Sequence, residues 1–253
     1  MYEYISPYLP LSLSSPPYTL PTQHRNNERT INCTINVVTG TKIIRHASHV
    51  CILRCSLYGH VNTLAAEIKT GIEEAGCEAV MVRCPETLPA DVLEKMHAPP
   101  KDESVPEVDV KDLVNADGLM FGFPTRFGTF PAQMKAVLDA TGGLWQSGGL
   151  VGKPAGVFIS TATQGGGQET SALTFLTQLA HHGMMFVPIG YSSPLLFNND
   201  EVHGGSPYGA GTLAGGDGSR MPSDLEKAGV AKHQGSFFAG TCKALKAGRA
   251  ASA

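Results

Sequence analysis

An α/β domain with a doubly wound, five-stranded parallel sheet is the fold this sequence predicts, on three observations. First, three short apolar runs each break into a polar loop: Val50–Leu53 into Cys55–His60, Gly118–Gly122 into Phe123–Gly128, and Ala155–Ile159 into Ser160–Thr170. A buried strand that ends in Ser, Thr and Gly is the pattern of a ligand-facing carboxyl edge, where glycines let backbone N–H groups approach closely. Second, strand-like runs alternate with stretches of helical period, the signature of βαβ units. Third, neither a GxGxxG nor a GxxxxGK[ST] pattern is present, which disfavours a Rossmann dinucleotide fold and excludes a P-loop.

In chain order, residues 1–46 stand apart. Met1–Pro21 is rich in Pro, Ser, Tyr and Leu, with five prolines and no period. It lacks a basic start followed by an apolar core, so it does not read as a signal peptide. We expect a disordered or loosely attached extension, or a mis-drawn gene boundary. Asn32-Cys-Thr34 fits a glycosylation pattern without secretory context. The domain proper is expected over 47–253. Val50–Leu53 is its first strand, and Val61, Leu64, Ala65, Ile68 and Ile72 give a helix over 61–75 that Gly76 closes. Residues 78–83 form the second strand, 91–96 a short helix, and 98–110 a Pro-rich connection. The third strand falls at 117–122, and Pro131 sits in the first turn of a helix over 131–140. A fourth strand follows at 155–161, a helix at 170–182 and a fifth strand at 184–189. The long Gly-rich insertion 191–222 precedes a closing helix over 223–245, where Ser223 and Glu226 form a capping box. Right-handed crossovers leave few topologies, and the flavodoxin-like order 2-1-3-4-5 fits five strands best. It puts the loops after strands one, three and four in one crevice.

Composition narrows the function. A net charge of −3 gives a nucleic-acid partner no electrostatic support. No run approaches a membrane span. Six cysteines without CxxC spacing suggest reduced thiols and a cytoplasmic setting. Ser56-Leu-Tyr-Gly-His60 opens a helix and suits a phosphate; hydroxyls without Lys fit a non-transferable one, such as that of FMN. Pro124-Thr-Arg-Phe127 would meet the edge of a flat heterocycle, with Phe127 packing nearby. Trp145, in a mobile Gly-rich setting, is either a substrate-stacking wall or ordinary packing. His181 and His182 point to different helix faces and bring no carboxylate or Cys spacing, so no metal site is expected. Ser56 and Ser160 lack a GxSxG context, which argues against a hydrolase triad.

Eight ordered blocks carry a resemblance: 56–60, 85–89, 121–128, 138–145, 160–170, 179–184, 187–191 and 204–211. Through them the sequence closely resembles the WrbA-type NAD(P)H:quinone oxidoreductases, flavodoxin-like FMN enzymes. The resemblance implies a homotetramer with one FMN per subunit, NADH or NADPH as co-substrate, and two-electron, ping-pong reduction of a quinone to a hydroquinone. It also implies that Ser56, Leu57, Tyr58, Gly59, His60 and Val61, with Ser160, Thr161, Ala162, Thr163, Gln164 and Gly165, hold the ribityl phosphate and ring edge. Thr125, Arg126 and Phe127 would contact FMN, His181 would lie beside it, Tyr58 would touch the nicotinamide nucleotide, and Trp145 the quinone. Neighbouring subunits would complete the site, which makes the 191–222 insertion an assembly element. A non-catalytic flavodoxin-type electron carrier and a scaffold flavoprotein are the rival readings. One departure stands out: the family's first strand carries an aromatic run, whereas this chain has Leu53-Arg54-Cys55, and a buried Arg54 would be awkward.

Overall fold

The computed structural model describes residues 48–252. The N-terminal extension, Asn32 and Cys33 lie outside the described residues. The strands are β1 (His49–Arg54), β2 (Glu78–Arg83), β3 (Gly118–Pro124), β4 (Pro154–Thr161), β5 (Met185–Phe186) and β6 (Gly211–Leu213). The helices are α1 (His60–Glu74), α2 (Ala90–Lys95), α3 (Ala132–Asp139), α4 (Gly142–Ser147), α5 (Gln168–His181) and α6 (Lys232–Ser252). The sheet is parallel in the order β2-β1-β3-β4-β5, as the sequence predicts.

Alternate residues of the central strands feed two core layers, as a period of two requires. Cys51, Leu53, Phe121, Phe123, Val157 and Ile159 pack on one side with α3 and α5. Val50, Ile52, Met120 and Phe158 pack on the other with α1 and α6. On that second side α1 and α6 cross closely. A Cβ on Gly71 would run into the Lys232 carbonyl oxygen, and one on Gly235 into that of Ile68. Only glycine lets the two backbones meet there.

Four expectations need correction. The sheet has six strands, because Gly211–Leu213 inside the insertion pairs with β4, Ile159 opposite Gly211 and Thr161 opposite Leu213. The fifth strand is two residues long and not six, since it pairs only with Pro154 and Ala155. Trp145 sits in the short helix α4, where its N–H donates to the Thr141 carbonyl at 3.0 Å. The closing helix runs on to Ser252, and its start, Leu225–Ala231, is π-wound.

The Ser223–Glu226 capping box is present in full. The Ser223 N–H donates to Glu226 Oε2 at 2.7 Å and the Glu226 N–H to Ser223 Oγ at 3.3 Å. Arg54 is as awkward as its sequence position implies. It is buried at the end of β1 and bonds Asn62 Oδ1 on α1, while its Nε has no partner. Burial lowers its pKa, with Asp102 opposing. Even so, β1 keeps full register with both β2 and β3.

Candidate active site

The loops after β1, β3 and β4 converge where the strand order reverses, the place α/β sheets use for ligands. They line a cavity of about 400 Å³ with Ser56, Leu57, Tyr58, His60, Val61, Thr125, Arg126, Ser160, Thr161 and Ala162 on its walls.

The β1 loop enters α1 through Gly59, whose φ of 95° is left-handed, and the Gly59 N–H donates to Ser56 Oγ at 3.2 Å. Ser56 therefore braces the loop rather than capping the helix. The first-turn N–H groups of α1 have no intrahelical acceptor, which makes them donors toward the cavity. His60 is buried on the wall and its Nε2 has no partner. A buried polar atom without a partner is costly unless a ligand supplies one. Added Cβ atoms at Gly59, Gly165 and Gly216 would meet nothing within 4 Å, so space is open beside each.

From β3, the Thr125 N–H donates to the Ser160 carbonyl at 2.8 Å, and Thr125 Oγ1 lies 2.7 Å from Ser171 Oγ. Arg126 and Thr129 exchange backbone bonds at 2.7 and 3.1 Å. Phe127 (φ 54°) and Gly128 (φ 80°) sit between them, a two-residue turn with both central residues left-handed. Phe127 does not pack beside the cavity as expected; the turn holds its side chain wholly exposed. Thr163, Gln164 and Gly165 form an exposed turn above β4 outside the cavity lining. Tyr58 is half-exposed on the rim, its hydroxyl donating to the Met96 carbonyl at 3.0 Å.

Sequence reasoning missed Ala214, Gly215, Gly216, Asp217 and Gly218, which complete the wall. β6 brings them there, and the ladder continues past it: the Ala214 N–H donates to the Thr161 carbonyl at 2.7 Å and the Gly215 N–H to that of Ala162 at 3.0 Å. Part of the insertion is thus a wall of the site within its own chain. The signal was present in Ala214-Gly-Gly-Asp-Gly218, a glycine-rich stretch like the Gly165–Gly167 run after β4.

Two expected residues are not brought to the cavity. Met185, four residues beyond His181, pairs with Pro154 at the start of β4, and the cavity lies beyond its other end. Seven residue steps of strand separate them by about 23 Å. His182 Nε2 lies 2.8 Å from Thr141 Oγ1, which places the helix of Trp145 at the same far edge. Burial and then His181 lower the His182 pKa. Both His181 and Trp145 are exposed there. No group of three or more His, Cys, Asp or Glu side chains among the described residues could hold a metal. No described helix is long and apolar enough to cross a membrane.

Glu86, behind the loop that joins β1 to α1, supports it indirectly. Its carboxylate accepts from Gln133 Nε2 at 2.7 Å and pairs with Lys101 at 2.9 Å, and Lys101 Nζ also donates to the Ser56 carbonyl at 3.2 Å. Burial alone would raise the Glu86 pKa, but bonds from Gln133, Lys101 and the Leu88 N–H outweigh it and hold the carboxyl at about 2. The folded pKa lies below the unfolded one, so the stabilisation is full above about pH 4.5 and is lost as pH falls through about 2. Glu86→Gln should therefore unfold at lower urea than the parent at pH 7, and the gap should close toward pH 2. A gap that persists at pH 2 would show that packing, not charge, is at stake.

The described domain matches the family model "NADPH-dependent FMN reductase" over residues 49–194. The chain is 56% identical over 202 residues to the quinone-oxidoreductase QR2 of Triphysaria versicolor, covering 79% of this chain and 98% of that one. It is 54% identical over 192 residues to a probable NAD(P)H dehydrogenase (quinone), FQR1-like 2, of Arabidopsis thaliana, covering 75% and 70%. Its fold resembles the flavodoxin, WrbA-like protein from Agrobacterium tumefaciens, with a TM-score of 0.55 at 20% identity over 78% of this chain and 99% of that one. Fold, crevice and relatives agree: the chain belongs to the NADPH-dependent FMN reductase family, among NAD(P)H:quinone oxidoreductases of flavodoxin-like fold.

Proposed function

We propose that this protein is an FMN-dependent oxidoreductase that reduces quinones to hydroquinones by two electrons from NAD(P)H. The observation that carries the reading is the crevice itself. It combines a lysine-free, glycine-entered helix start with a buried His60 Nε2 that lacks a partner. These features fit a flavin phosphate and its ribityl chain, and the relatives' names supply the reaction.

Bound FMN supplies hydride acceptance from NAD(P)H and hydride donation to a quinone. The chain binds, orients and shields. The α1 first-turn N–H groups and Ser56 hold the phosphate, with Leu57, Gly59, His60 and Val61 shaping the cradle. Thr125 and Arg126 border the ring from β3, and Ser160, Thr161 and Ala162 from β4, while the exposed Phe127 and the Thr163–Gly165 turn stand outside the cavity lining. Tyr58, on the rim, faces the nicotinamide nucleotide. Because both substrates must reach the same flavin, the order is ping-pong, in which oxidised NAD(P) leaves before the quinone enters. The test is quinone-dependent NAD(P)H oxidation by the FMN-loaded full chain. Hydroquinone formed mole for mole with NAD(P)H consumed supports the reading; turnover with one-electron acceptors alone would favour the electron carrier. A chain that takes up no FMN would leave the scaffold.

His181 and Trp145, far from their own chain's cavity, serve a neighbouring chain's cavity in a homotetramer. Exposed Trp145, Val151, Met185, Tyr191 and Phe197 supply apolar surface for such assembly. Unpaired thiols at the five described cysteines support the cytoplasm as the setting. Trp145→Ala and Gly59→Val should each lower activity by about tenfold or more, a loss of about 1.4 kcal/mol or greater in the transition state. Co-expressed, the two variants should recover activity well above either alone, because a sound loop then meets a sound Trp145. No recovery in mixed oligomers would place Trp145 in its own chain's site.

A further inference from the structure

We infer that Cys55 and Cys84 form a peroxide-responsive dithiol, in which Cys55 is the sulfur oxidised first and Cys84 closes the disulfide. The two residues follow the paired ends of adjacent parallel strands. Arg54 stands opposite Arg83, and the Cys84 N–H donates to the Arg54 carbonyl at 2.9 Å, so the next step of the register sets Cys55 beside Cys84. Cys84 belongs to the core layer of Cys51 and Leu53, and Cys55 packs against that layer, so both thiols lie on one face of the sheet. In-register neighbours on adjacent strands are about 4.8 Å apart, inside the roughly 4.4–6.8 Å that a disulfide spans between Cα atoms. The two side chains interact directly, and each shifts the titration of the other.

The pair is asymmetric in a way that assigns the roles. Cys55 is half-buried and lines a cavity of about 240 Å³ together with Arg54, Arg83 and Lys101, and with Glu86 and Asp102 of opposite sign. Cys84 is buried behind it, its sulfur 3.9 Å from Met134 Sδ. The neighbouring Cys84 side chain lowers the Cys55 pKa, and Lys101 and Arg126 add to it against burial and Glu86. The same contact, with burial, raises Cys84. Burial pushes Cys51 and Cys242 up to about 12 and raises Cys77 as well. Among the described cysteines, then, Cys55 alone combines access, thiolate character and a second thiol in reach, the setting of a redox-sensing pair.

The chemistry balances with hydrogen peroxide as the oxidant. The Cys55 thiolate attacks one peroxide oxygen; the O–O bond breaks, an S–O bond forms, and the departing hydroxide takes up a proton to become water. Cys84 sulfur then displaces the sulfenic hydroxyl; the S–S bond forms, the S–O bond breaks, and the hydroxyl leaves with the Cys84 proton as a second water. The two thiols give up two electrons and the peroxide accepts them. A small dithiol reverses the bond by exchange. The step needs no flavin, so it stands or falls apart from the function proposed above.

The test exposes the reduced, desalted full chain to equimolar hydrogen peroxide, blocks free thiols with iodoacetamide and maps the peptides by mass. A Cys55–Cys84 cross-link as the main product, lost with dithiothreitol, is the expected result. In Cys84→Ser, Cys55 should instead be trapped by dimedone as its sulfenic acid. If that variant fails to fold, dimedone present during oxidation of the parent chain should capture the same species. A disulfide to Cys33 or any other cysteine, or a Cys55 that stays fully alkylated, would overturn the inference.

Discussion

Glu226→Ala is expected to destabilise the domain by about 3–5 kcal/mol, the largest single loss we anticipate outside the sheet core. Glu226 is wholly buried, and its two oxygens gather a set of donors. Oε1 accepts from the Gly204 N–H at 2.7 Å, and Oε2 from the Ser223 N–H at 2.7 Å and Thr212 Oγ1 at 2.9 Å. Arg220 Nη1 lies 3.0 Å from Oε2, and the same guanidinium reaches the Leu213 and Val202 carbonyls at 2.7 and 3.1 Å. Removing the carboxylate strands buried N–H groups and an Arg whose counter-charge is gone, and each stranded donor costs its desolvation. Thermal unfolding should show a drop of roughly 10 °C for a domain of this size. Because Glu226 ties down both flanks of β6, the loss should be local first. Amide exchange should quicken over 204–223 before the central strands respond. A variant with unchanged melting temperature would mean that water replaces the carboxylate at little cost.

Gly59→Val is expected to weaken FMN binding by at least about tenfold, equivalent to ~1.4 kcal/mol. The site has room for the side chain, so the effect comes from the backbone and not from a clash. At φ 95° a β-branched residue is strained, and relief requires the loop to turn its N–H groups away from the cavity. The folded domain should lose only the strain itself, about 1–2 kcal/mol. Fluorescence titration with FMN separates the two effects, since affinity falls while melting shifts little. Unchanged affinity would place the phosphate away from the start of α1.

The strands and most helices were legible because apolar runs and helical periods are local. β1 through β4 needed only β-branched and aromatic runs bounded by polar loops, and Ser223–Glu226 announced its own capping geometry. β6 was not legible: three residues, one of them Gly, carry no strand period, and only pairing with β4 makes them a strand. α4 was hidden by Gly142 and Gly143. The loop residues that line the cavity were readable from hydroxyl and glycine content. The location of Trp145 and His181 was not, because resemblance names residues without saying which chain brings them to a site. Chain tracing from β4 through α5 to β5 puts both at the opposite sheet edge.

FMN binding for hydride transfer, in the crevice at the ends of β1, β3 and β4, underlies every role proposed for these residues. Its most direct test is the visible absorbance spectrum of the full chain, loaded with FMN, freed of excess and kept without oxygen. NADH or NADPH should bleach the flavin band, and a stoichiometric amount of benzoquinone should then restore it. A protein that stays colourless, or a bound flavin that neither nicotinamide nucleotide bleaches, would rule out a flavin reductase site in this crevice.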